Sequence, residues 1–132
     1  MYKFILLGTF CLAFMASHAQ KHICPDTLSC TVSDKVYVKL LSSDSLSSTF
    51  FIVVPGQIKP HYHQYHTENI VVVSGRAEMQ LGEKTIDIKK GDLIIVPKGT
   101  RHSVKRKGRK PLKVISVQSP MFDGTDRIML EK

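Results

Sequence analysis

Cysteine is scarce in this chain, with three in 132 residues, and glycine (eight) and proline (six) are no more than ordinary. So little Gly and Pro excludes a collagen-like or low-complexity chain, and an apolar fraction of 42% excludes intrinsic disorder. A domain of this size buries roughly two thirds of its unfolded surface, so neither a dense disulfide framework nor a structural metal is needed for folding. Any metal has to be argued from function. Acidic residues are in deficit, 11 against 19 Lys and Arg, for a formal charge of +8. That imbalance would suit nucleic acid, an anionic membrane or an acidic ligand, and the compartment decides among them. Internal repeats, linkers and the 3.6-residue apolar period of a helix are also missing after residue 35.

The N-terminus carries an export signal by pattern: Lys3, an apolar stretch from Phe4 to Met15, and the small-x-small site Ser17-His18-Ala19. The apolar stretch is shorter than the roughly 20 residues a membrane span needs, and no charged stop follows it. Residues 1–19 therefore read as a cleaved signal peptide, with no stable membrane anchor after cleavage, and the mature chain is expected to be periplasmic or secreted. Cys24 and Cys30 remain in residues 20–34, close enough to close a small disulfide loop in an oxidising compartment. Such a ring is worth roughly 2 kcal/mol and would pin this segment without holding the domain together. Five intervening residues do not match a CxxC redox pair.

From Lys35 the chain reads as an all-β pattern of eight or nine short strands. Val36, Val38 and Leu40 alternate with polar neighbours, and the Ser-rich loop Ser42 to Ser48 leads into the β-branched run Thr49 to Val54. Further strands are expected over Glu68 to Val73, Arg76 to Leu81, Thr85 to Ile88, Leu93 to Val96, His102 to Arg106 and Leu112 to Gln118. Turn signals every eight to twelve residues indicate a sandwich or barrel, and the unbroken run Leu93 to Val96 predicts a strand buried on both sides.

His61-Tyr62-His63 puts two imidazoles on one side of a strand, which is metal-ligand spacing. Glu68 follows beyond a short bend, and His102 opens a later strand behind a tight Pro-x-Gly turn. Around them stand two spaced motifs. The first runs Gly56, four residues, His61-Tyr62-His63, four residues, Glu68, six residues, Gly75; the second runs Gly91, five residues, Pro97-Lys98-Gly99, two residues, His102. In order and spacing these resemble the two motifs of the cupin superfamily over residues 50 to 118. The first departs by one residue between Gly56 and His61, and the second ends on Arg106 where the family usually has Asn.

The resemblance implies a small jelly-roll β-barrel (double-stranded β-helix) over residues 35–132, with a divalent metal held by His61, His63, Glu68 and His102. Three imidazoles and one carboxylate suit a transition metal, with Fe or Mn first and Zn, Ni or Cu accommodated, more than Ca or Mg. The resemblance also implies a small-molecule substrate, a homodimer, and dioxygenase or isomerase/epimerase chemistry at the metal. A binding module that captures a metal-chelating ligand or sugar without turnover uses the same four residues.

Candidate rim residues are Gln57 and Lys59 before His61, Tyr65 and His66 in the bend after the pair, and Arg106. Of these, His66 is a candidate proton carrier, and Arg106 shares a face with His102 and Val104. Residues 98 to 113 hold eight Lys and Arg and no acid, so the basic pI reports one hairpin. Without an aromatic-interleaved platform, this run does not indicate nucleic-acid binding.

Overall fold

The computed structural model describes residues 20–28 and 33–130. The proposed signal peptide, and Cys30 with its pairing to Cys24, lie outside the described residues; no described helix is long and apolar enough to cross a membrane.

Among the described residues, ten strands follow one 3-10 turn at Pro25–Thr27: β1 (Tyr37–Ser43), β2 (Ser48–Val54), β3 (Gln57–Tyr62), β4 (Thr67–Ser74), β5 (Arg76–Leu81), β6 (Lys84–Lys89), β7 (Leu93–Val96), β8 (His102–Lys107), β9 (Leu112–Ser119) and β10 (Ile128–Met129). They form two five-stranded sheets, β1-β2-β9-β4-β7 and β10-β3-β8-β5-β6, with antiparallel pairing throughout. This is the expected all-β jelly roll. Period-two patterning sets the inner faces: Ile70 and Val72 of β4, Met79 of β5, Val104 of β8 and Leu112 and Val114 of β9 meet in one buried core.

Gly75 makes the β4–β5 corner possible. Its φ is +85°, and a Cβ there would lie 2.5 Å from the Pro111 carbonyl oxygen, so neither the conformation nor the space admits a side chain.

Two local expectations are corrected. Strand β7 is not buried on both sides: Leu93 (61% exposed) and Ile95 (56%) face outward while Ile94 and Val96 face the core. The two sheets pack through their inner faces, and no further layer among the described residues covers the outer face of this one, so Leu93 and Ile95, like Val71 of β4, remain exposed. The Ser-rich loop is also shorter than expected. Strand β1 continues through Ser43, and Asp44 closes the turn by accepting from the Leu46 and Ser47 amides.

Candidate metal centre

Register brings the two motifs together. His61 of β3 stands directly opposite His102 of β8, and an irregularity in this ladder between Ile58 and His61 lets both of those residues face the interior. The shortened spacer between Gly56 and His61 falls at this irregularity. His63 lies one residue beyond the end of β3 and is held by the second motif, because the Gly99 amide donates to its carbonyl at 2.6 Å. Glu68 enters as the second residue of β4.

All three imidazoles are at least 95% buried, and each offers a ring nitrogen within 4.8 Å of the other two. In each ring Nδ1 faces a backbone carbonyl: Lys59 for His61 (2.8 Å), Thr100 for His102 (3.0 Å) and Asp126 for His63. A carbonyl only accepts, so Nδ1 carries the proton and Nε2 presents its lone pair to the centre. Glu68 Oε2 lies 3.3 Å from His102 Nε2 and 3.7 Å from His63 Nε2, while Oε1 accepts from Ser116 Oγ.

Lone pairs and a carboxylate converging in a buried space repel unless a cation lies among them. His102 Nε2 is buried with no hydrogen-bond partner. The donor set therefore fits a transition metal: neutral imidazoles oriented by outer carbonyls, with one anionic oxygen beside them. The electrostatics differ between the rings, favouring the neutral, ligating form at His61 and the protonated form at His63. Burial, reinforced by the neighbouring His102 ring, holds His61 down to about 4. Although burial opposes it, contacts with Glu68 and the Asp126 carbonyl raise His63. Burial also acts against ionisation of Glu68, yet His102, His63 and Ser116 hold its carboxyl well below the usual range.

A cavity of about 120 Å³ adjoins the four residues. Its wall is apolar, including Val36, Val38, Phe50, Ile52 and Met79, and its remaining polar lining residues among those described are Gln118 and Arg127.

Of the rim candidates, none lines this cavity. Tyr65 is 66% exposed. His66 is buried, with Nδ1 at 2.5 Å from the Asp126 carboxylate and Nε2 at 3.0 Å from the Met121 carbonyl. With acceptors on both nitrogens it ties the loop to the C-terminal segment. Gln57 and Lys59 border a separate groove on the outer face of the second sheet. Arg106 pairs with Ala77 and so faces inward as its period predicts, but it sits farther along β8 than Val104 and donates to the Gly108 carbonyl.

Sequence reasoning missed the C-terminal segment. Besides the contacts to His63 and His66, Asp126 accepts from the amides of Gln64 and Tyr65, each at 2.8 Å. Phe122 packs edge-on against His63 and His66. No motif includes these residues. The only local signal was an acidic residue near the end of a basic chain. In the hairpin that carries the basic run, Lys107 is paired with Asp87 and Glu78.

Comparison with known proteins gives consistent results. The family model described as the Cupin domain matches residues 49–118. An uncharacterized protein of Aquifex aeolicus is 27% identical over 101 residues, 76% of this chain and 82% of that protein. Mannose-1-phosphate guanylyltransferase 2 of Escherichia coli O157:H7 is 34% identical over 82 residues, 61% of this chain but only 17% of the enzyme. Among solved structures, a conserved protein of Klebsiella pneumoniae with a double-stranded β-helix domain superposes with a TM-score of 0.73 at 23% identity, covering 86% of this chain and all (100%) of that one.

Proposed function

This chain belongs to the cupin family, and from that premise we propose that it holds one divalent transition-metal ion on His61, His63, His102 and Glu68 and acts on a small oxygen-rich molecule in the adjoining cavity. The observation that carries the reading is the triple use of Nδ1: three buried rings, each turned by a carbonyl so that Nε2 faces one point. A bound ion would supply Lewis-acid polarisation of a ligand oxygen or a redox centre.

The protein's own contribution is orientation and exclusion. Ser116 fixes one oxygen of Glu68, and the outer carbonyls fix the tautomer of each imidazole. The apolar wall keeps bulk water from the ligand, which strengthens every polar contact inside. By its name, the Escherichia coli relative acts on a sugar phosphate, which supports an oxygen-rich ligand. Export rests on the leader-like residues 1–19, and association of two chains on the exposed apolar residues of edge strand β7.

A second reading, metal-dependent binding without turnover, is favoured by one observation. Beyond the four metal-facing residues, the described cavity lining has only Arg127 as an ionisable group, and no general acid or base. Loading chelator-treated protein separately with Fe, Mn and Zn and assaying a panel of dihydroxy, diketone and sugar compounds divides these readings. Turnover that survives Zn indicates an isomerase, and oxygen uptake confined to Fe or Mn indicates a dioxygenase. A compound that protects against heat but is recovered unchanged indicates a binding module. No turnover and no protection with any metal would overturn the proposal.

A further inference from the structure

Two polar side chains of the cavity are not needed to hold a metal. Strand β9 sets Gln118 directly opposite Glu68, on the inward face. Gln118 is 95% buried, at 5% exposure, and its Oε1 has no hydrogen-bond partner. An unsatisfied buried amide oxygen is destabilising, and an apolar residue of similar size would avoid the penalty. The arrangement makes sense if a donor arrives with the ligand.

Arg127 reaches the same cavity from the C-terminal segment. Asp126 is fastened through its carboxylate to the Gln64 and Tyr65 amides and to His66, and through its carbonyl to His63. The following residue is thereby held at the rim. Arg127 is the one cation among the described lining residues, and none of their carboxylates lies within ion-pair distance of it. With a divalent ion, neutral imidazoles, ionised Glu68 and Arg127, the site has a formal excess of about two positive charges, which favours an anionic occupant.

The rest of the wall is apolar and the volume small. One guanidinium matches the two oxygens of a carboxylate, and the otherwise apolar wall offers no further cationic donor for the additional oxygens of a phosphate. We propose that the cavity selects a small hydroxy carboxylate, with Arg127 pairing with the carboxylate, Gln118 Oε1 accepting the hydroxyl proton, and the apolar wall holding a short hydrocarbon branch. This rests on the reading that the cavity beside the metal centre is the ligand site.

The test is calorimetric binding to metal-loaded full-length mature protein, with metal content measured on each sample. The probes are 2-hydroxyisovalerate, its uncharged amide, and isovalerate, which lacks the hydroxyl. Wild type should prefer the hydroxy acid over both analogues by about tenfold, the ratio one good polar contact provides. Arg127→Gln should abolish the preference over the amide, and Gln118→Leu the preference over isovalerate, with the metal retained in both. Equal binding of the three probes by metal-loaded wild type, no binding of any, or preferences that survive both substitutions would overturn the proposal. If the protein proves unable to hold a metal but still prefers the hydroxy acid, the metal reading falls and this assignment stands.

Discussion

The backbone carbonyl of Asp126 accepts the Nδ1 proton of His63 from a position 63 residues farther along the chain. A motif histidine is thus oriented by a residue outside both motifs, and the same residue's carboxylate fastens the loop between His63 and Glu68.

Replacing Asp126 with Ala should therefore act on both stability and the centre. Three donors lose their acceptor, and the expected loss is about 3 kcal/mol in urea unfolding. The carbonyl survives the substitution but loses its anchorage, so metal affinity should fall about tenfold or more in a competitive chelator titration. An unfolding midpoint within error of wild type would show that the segment is held by other contacts.

The same carboxyl gives a pH signature. Burial acts against its ionisation, but His66 and the Tyr65 and Gln64 amides prevail and take it from an ordinary value of 3.8 down to about 2. The unfolded chain then binds the proton more readily than the folded one. The stability from Asp126 is complete well above 3.8 and is lost as the pH falls through about 2. Between those values, chelator-treated wild type should lose stability more steeply than Asp126→Asn. Parallel curves would contradict the assignment.

Ser116 is fully buried and donates to Glu68 Oε1. Ser116→Ala should weaken metal binding about tenfold, as loss of an outer partner of a metal ligand does. Its unfolding midpoint in chelator should also fall, by about 2 kcal/mol of stability, because the buried Glu68 oxygen is left without its donor.

Two glycines at positive φ separate conformational from steric cost. Gly108 (φ +77°) has open space around its Cβ direction, whereas Gly75 faces the Pro111 carbonyl oxygen at 2.5 Å. Gly108→Ala should cost about 1 kcal/mol and Gly75→Ala about 3 kcal/mol. Equal losses in denaturant unfolding would mean that the β4–β5 corner relaxes freely.

The sequence was most informative where chemistry and period coincide. His61, His63, Glu68 and His102 stand in two spaced motifs, and strand register carries them to one place. Strands β5 and β7 have the bounds their turn residues mark. Burial was harder to read. Leu93 and Ile95 look like core by composition, and only the packing of the two sheets shows that their face has no covering layer. His66 looks like a rim residue because it stands in the bend after the His pair, but its partners, Asp126 and Met121, lie 60 and 55 residues away. Arg127 and Gln118 have no local signature at all, since their relevance comes from the walls that meet around them.

The central claim is that three Nε2 atoms and Glu68 form a metal centre. Elemental analysis of native, untagged protein tests it most directly. Wild type should carry close to one transition-metal ion per chain, and His61→Ala/His63→Ala, folded by circular dichroism, should carry almost none. A wild-type protein purified without metal that also fails to take up Fe, Mn, Zn or Cu would contradict the account.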